Sequence, residues 1–177
     1  MVFYIARGHE LWFKKVMRFG PDELPYNPVS QLYKKLFGQK VFKVPVSIAD
    51  DCPNRRGLKG METCIFCDVH GSFAYPDSQK SALEKQIREH REKVAARFNS
   101  KKFLVYFQAY TSTFNQLQKV RDAFEVALAE PDMVGIVVGT RPDCLSDALL
   151  DLWHETSKKT FLSVEIGAQS FDDRQLE

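Results

Sequence analysis

The sequence predicts an α/β fold built on a parallel sheet, and three observations carry that prediction. Short apolar runs alternate with amphipathic segments in the order strand, helix, strand, helix, strand, helix, strand. From the second strand on, each repeat takes roughly 30 residues, the size of a βαβ unit. Within the strands, side chains sort onto two unlike faces, one aliphatic and one small or polar.

Each element has its own justification. Residues 11–17 are amphipathic and break at Gly20-Pro21, and residues 30–37 form a short helix closed by Gly38. Residues 41–48 alternate apolar and other side chains and favour β-branched ones, which makes a strand. Asp50-Asp51-Cys52-Pro53-Asn54 turns the chain into a Gly-, Pro- and Asp-rich loop over 52–77. Leu83, Ile87, Val94 and Ala95 give 78–98 a helical stripe among charges. Residues 103–107 form an apolar strand. Residues 113–130 form a helix, with Leu117, Val120, Phe124, Val126 and Leu128 apolar, that stops at Pro131. A strand over 133–138, a helix over 144–153 and a strand over 161–166 complete the order.

The alternation points to curvature. In the last strand Leu162, Val164 and Ile166 share one face, and Ser163, Glu165, Gly167 and Gln169 the other. In the strand before it, Val134, Ile136 and Val138 oppose Gly135, Val137, Gly139 and Arg141. A barrel or curved sheet turns its aliphatic face outward against helices. Its small, polar face then lines a cavity open at the strands' C-terminal ends. Glu165 needs such a setting, because a carboxylate in a buried strand is costly without a partner.

Composition excludes several classes. The 177 residues amount to about one domain. With 44% apolar and 27% charged residues, a packed core is expected and a disordered chain is not. The longest aliphatic run, 133–138, is far short of the ~20 residues of a membrane helix. Residues 1–6 lack the basic leader and longer apolar region of a secretory signal, so a soluble, cytoplasmic protein without a membrane partner is expected. Residues 1–100 hold 17 Lys and Arg against 11 Asp and Glu, and residues 101–177 hold 8 against 12. A basic front half suits phosphate or nucleic acid, or simply solvated helix faces.

Three of the four cysteines, Cys52, Cys64 and Cys67, fall within sixteen positions on the loop after the strand at 41–48. Without an export signal this reads as metal binding rather than a disulfide framework. Thiolates are soft ligands, so the candidates are an iron–sulfur cluster or zinc. Three thiolates without an obvious fourth favour a four-iron cluster with one iron open. With His70 as fourth ligand, a Cys3His zinc site is the alternative, and purely structural cysteines are the plainest one. Cys144 stands apart at a helix start, as a small core residue.

Cys64-Ile65-Phe66-Cys67, with an aromatic before the last cysteine, resembles the radical S-adenosylmethionine (SAM) enzymes, whose three cysteines lie on the loop after the first strand of a partial TIM barrel. The eleven-residue gap from Cys52 to Cys64 departs from their common spacing. It is similar to the branch of the Elongator catalytic subunit and its bacterial YhcC-like relatives. That branch is also matched by Tyr26-Asn27-Pro28, Phe37-Gly38, Cys52-Pro53-Asn54-Arg55, residues 106–113, Gly139-Thr140-Arg141-Pro142-Asp143 and residues 165–170.

The resemblance implies a partial TIM-type (β/α) barrel over residues 41–177, preceded by a helical extension over 1–40. It implies that Cys52, Cys64 and Cys67 hold a [4Fe–4S] cluster whose open iron chelates SAM. Reductive cleavage then gives a 5′-deoxyadenosyl radical that abstracts hydrogen from a substrate. Phe66 is expected near the adenine, and Glu165 and Gln169 near the ribose or methionine end. The family's Gly-Gly-Glu-like motif is replaced by Phe107-Gln108-Ala109-Tyr110-Thr111, where Gln108 or Thr111 would take over. Arg141 is a candidate for a carboxylate or phosphate, and Asp143 for a helix N-cap. Arg55, Arg56 and Lys59 meet an anionic substrate or stay solvated. Implied partners are a flavodoxin- or ferredoxin-type electron donor and an unknown substrate, with tRNA a candidate.

A complete barrel takes about 250 residues, and this chain reaches only a fourth strand of such a core. The expectation is therefore a core truncated after about four strands, with a long apolar edge exposed on the last one. A catalytically inactive fragment of the enzyme is a third alternative beside the enzyme and the zinc module.

Overall fold

A computed structural model describes the backbone of Val2–Ile5 and residues 28–167, 169, 170, 172 and 174. The amphipathic stretch expected over 11–17, and its break, lie outside the described residues. Among the described residues five strands form one sheet: β1 (Val2–Ile5), β2 (Phe42–Val46), β3 (Phe103–Phe107), β4 (Met133–Thr140) and β5 (Phe161–Ile166). Among the described residues four α-helices accompany them: α1 (Val29–Phe37), α2 (Leu83–Phe98), α3 (Leu117–Ala129) and α4 (Asp147–Lys159). The spatial order is β1-β5-β4-β3-β2, with β2 to β5 all parallel. The α/β class and the parallel sheet expected from the repeat length are thus present.

The β5 edge is not bare. β1 pairs with it antiparallel, Phe3 opposite Val164 and Ile5 opposite Leu162, so the expected exposed edge is covered by the start of the chain. A four-residue strand far from its partner in sequence carries no local signal of that pairing.

One face of the sheet packs on helices. Val46, Val105, Phe107, Ile136, Val138, Leu162 and Val164 from the strands meet Ile87, Val120, Phe124, Leu149 and Trp153 from α2, α3 and α4. The other face is concave. Neighbouring strands lie ~4.8 Å apart, so β2 and β5, three steps apart, would be roughly 14 Å apart in a flat sheet. Lys43 on β2 nevertheless forms an ion pair with Glu165 on β5, which requires the sheet to bend.

At the strands' N-terminal ends α1 closes this concave face. Tyr33 and Phe37 pack with Val41, Leu104, Val137 and Phe161, the Tyr33 and Phe37 rings lying edge-on to Phe161 at 6.0 and 5.4 Å. Val134 belongs to this cluster, not to the aliphatic face expected for it. The cause is a bulge: Phe103 opposes Met133 but Val105 opposes Ile136, so β4 carries one extra residue and Val134 changes sides. Gly135 is confined to the same irregularity, because a Cβ there would sit 2.4 Å from the Phe161 carbonyl oxygen.

The helix starting at 144 begins later than expected. Pro142–Cys144 is a separate 3-10 turn, and α4 starts at Asp147 with Ser146 Oγ accepting from the Leu149 N–H at 3.3 Å. Ser146 is therefore the cap and Asp143 is not. The helix runs on to Lys159, where Lys158 and Lys159 face the negative end of its dipole.

Candidate functional site

The loop between β2 and α2 carries the cysteines, and α2 fixes its start. Gln86, buried, receives the Ser47 N–H on its Oε1 at 2.9 Å and donates to the Ser47 carbonyl at 3.0 Å, as a neighbouring strand would. His90 donates Nδ1–H to the Pro45 carbonyl at 2.7 Å and accepts the Ser78 hydroxyl on Nε2 at 2.6 Å. Burial lowers its pKa and keeps it neutral. Further along, the Asp68 carboxylate accepts the Ser72 and His70 N–H groups, each at 2.8 Å, which holds its pKa below the usual range.

The segment after β3 braces the same loop. Tyr110 adopts a left-handed conformation, φ 52°, and donates its hydroxyl to the Val69 carbonyl at 2.8 Å. Its N–H reaches the Gly71 carbonyl, and the ring lies so close that a Cβ on Gly71 would meet it at 2.7 Å. Gln108 donates to the Ser72 carbonyl at 3.0 Å, and the Thr111 N–H to the Asp51 carbonyl.

Between these segments and the strand ends lies a cavity of about 360 Å³. Cys52, Cys64 and Cys67 line it, and so do Phe66, Gln108, Thr111, Arg141, Glu165 and Gln169. The three cysteines and the six side chains expected from the sequence to contact a cofactor thus line one cavity. All four cysteines are free thiols. Among the described residues no group of three or more His, Cys, Asp or Glu side chains converges to hold a single metal ion. His70, the candidate fourth zinc ligand, is exposed and does not line the cavity.

The individual contacts define what each residue has to offer. Glu165 is paired with Lys43, whose ammonium also lies 4.3 Å from the centre of the Tyr106 ring. Burial, reinforced by the Glu165 carboxylate, pushes the Tyr106 phenol pKa up. Arg141 grips Asp143 with both Nε and Nη2 at 2.8 Å, which holds the Asp143 carboxyl low, and donates Nη1 to Asn54 Oδ1. It therefore ties the end of β4 to the cysteine loop. Arg56 pairs with Asp51, and Lys59 is exposed. Phe66 is 68% exposed at the cavity mouth, beside the exposed Ile65 and Val69. Cys144 does not line the cavity, and burial raises its pKa to about 11.

Sequence reasoning assigned no role to Lys43, Asn54, Tyr106 or Gln86. A signal existed for the first: Lys43 in Phe42-Lys43-Val44-Pro45-Val46 is as anomalous in a strand as Glu165, and the two anomalies have opposite charge.

Three relatives align with this region. The chain is 36% identical over 156 residues to the uncharacterized protein YtqA of Bacillus subtilis, spanning 88% of this chain and 48% of that one. It is 40% identical over 141 residues to the protein YhcC of Escherichia coli, spanning 79% and 44%. It is 34% identical over 148 residues to the uncharacterized protein MJ0486 of Methanocaldococcus jannaschii, spanning 81% and 44%. The chain therefore spans about half the length of these relatives. No family model and no solved structure matches it.

Proposed function

We propose that this chain is the cofactor-binding portion of a radical SAM enzyme, with a curved sheet that forms part of a (β/α) barrel. One observation carries the reading: three free thiols from one loop and polar residues from the ends of three further strands line a single cavity. Soft sulfur donors suit an iron–sulfur cluster. A zinc ion would need its ligands to converge at ~2.0–2.3 Å on one point, whereas a four-iron cluster accepts thiolates spread along a wall.

In this reading Cys52, Cys64 and Cys67 hold a [4Fe–4S] cluster and the rest of the cavity takes SAM. When bound, the pair supplies one-electron reductive cleavage of the sulfonium bond, giving methionine and a 5′-deoxyadenosyl radical for hydrogen abstraction. The chain's own residues bind and orient. Glu165, ion-paired with Lys43, offers a carboxylate to an amine or hydroxyl groups. Gln108, Thr111 and Gln169 supply neutral polar contacts, and the Phe66 ring covers a flat base at the mouth. Arg141 acts chiefly by fixing the cysteine loop, since its donors are engaged by Asp143 and Asn54. The electron would come from a flavodoxin- or ferredoxin-type donor, and tRNA is the candidate substrate to try first.

Anaerobic reconstitution with iron and sulfide tests this, followed by EPR of the dithionite-reduced protein with and without SAM. A reduced-cluster signal that SAM perturbs is expected. A colourless protein that takes up one zinc per chain would replace the reading with the Cys3His module. A cluster signal indifferent to SAM would make the chain an inactive fragment.

A further inference from the structure

We propose that the dipeptide Asn54-Arg55 sets the reduction potential of the cluster by giving each ligand sulfur one N–H donor; this rests on the cluster reading above. The Arg55 backbone N–H donates to Cys52 Sγ at 3.4 Å. Asn54 Nδ2 donates to Cys64 Sγ at 3.3 Å, and Arg55 Nη2 to Cys67 Sγ at 3.4 Å. Two consecutive residues thus reach all three sulfurs.

The local chain explains how. After Cys52, the Arg56 N–H bonds the Cys52 carbonyl, the Gly57 N–H that of Asn54 and the Leu58 N–H that of Pro53. This tight turn brings residues 54 and 55 back over the Cys52 side chain. Pro53 has no N–H to offer, so the turn's free donors come from the next two residues. Both side chains are held in orientation. Asn54 Nδ2 also donates to the Glu62 carbonyl at 2.8 Å, while its Oδ1 accepts from Arg141, so the amide cannot reverse without losing both bonds. Arg55 Nη2 also donates to the Asp68 carbonyl, and the guanidinium lies 5.1 Å from the centre of the Tyr110 ring. Arg55 Nε is buried without a partner among the described residues, an arrangement costly for a group with no further acceptor at hand.

Reduction of a bound cluster would add one electron, and so one negative charge, next to the three ligand sulfurs. N–H donors on ligand sulfur and a cation beside it stabilise that added charge and raise the potential. Cys64 and Cys67 are partly exposed, and Asn54 and Arg55 place fixed N–H donors directly on their sulfurs.

The test is an EPR-monitored redox titration of the reconstituted chain with dithionite, on wild type, Arg55→Gln, Asn54→Asp and Arg56→Gln. Arg55→Gln and Asn54→Asp should each lower the reduced-to-oxidised ratio at the wild-type midpoint at least tenfold, a shift of 59 mV or more to the negative for one electron. Arg56→Gln removes a charge from the same loop, but that charge faces Asp51 and touches no sulfur, so its shift should be clearly smaller. Unchanged midpoints in Arg55→Gln and Asn54→Asp, or an equal shift in Arg56→Gln, would overturn the proposal. Loss of the cluster from both variants with a wild-type circular dichroism spectrum would also overturn it, giving these residues an assembly role instead. A wild type that takes up no cluster would overturn the cluster reading itself, and this inference with it.

Discussion

The two ends of the concave face use the same strands for opposite purposes. At the strands' starts Val41, Leu104, Val134 and Phe161 point inward and are packed against α1. Two to five residues later along the same strands, Tyr106, Gly139 and Glu165 line a cavity instead, and Lys43 pairs with Glu165 at its wall. Apolar side chains at one end bury area worth ~25 cal/mol per Å². At the other end the Lys43–Glu165 pair is partly buried, an arrangement that contributes little to stability. On this face apolar packing is concentrated where α1 closes the sheet, and polar and sulfur side chains line the cavity at the other end.

Truncating the closed end should have the largest effect. Phe161→Ala removes a ring packed on Tyr33 and Phe37 and should cost about 3–5 kcal/mol in denaturant unfolding. A cost under about 1 kcal/mol would mean that α1 is not what closes the sheet.

At the open end Lys43→Met leaves the half-buried Glu165 without its partner and should cost about 1–3 kcal/mol. The double variant Lys43→Met/Glu165→Gln should recover part of that loss, because the uncompensated charge is gone. Additive losses would show that the pair is not coupled.

A smaller effect should appear with pH. His90 is held neutral with its pKa lowered, so its contribution to stability is full above the unfolded value of about 6.5 and is lost as pH falls through the folded value. Stability measured from pH 7.5 down to pH 5 should fall in wild type and fall less in His90→Phe. Equal slopes would remove His90 as the cause.

Most of the scaffold was legible because periodicity reports burial directly. The runs at 103–107 and 161–166 became strands with those bounds, and Ile87, Val120 and Phe124 face the sheet as their spacing required. What escaped had non-local causes. The Val134 side is decided by a bulge against β3, the β5 edge by a strand more than 150 residues away, and the fate of Asp143 by an arginine two residues back rather than by the helix it precedes. The cavity wall was readable as residue types at strand ends. The donors behind it, Asn54, Arg55 and Gln86, were not, because their roles depend on which backbone and sulfur atoms the loop brings near.

Iron and sulfide content after anaerobic reconstitution of wild type, Cys64→Ala and Cys144→Ala tests whether the three loop cysteines hold a cluster. About four iron and four sulfide per chain are expected in wild type and in Cys144→Ala, and loss of both in Cys64→Ala. Full loading of Cys64→Ala, or loss of the cluster from Cys144→Ala, would contradict that assignment.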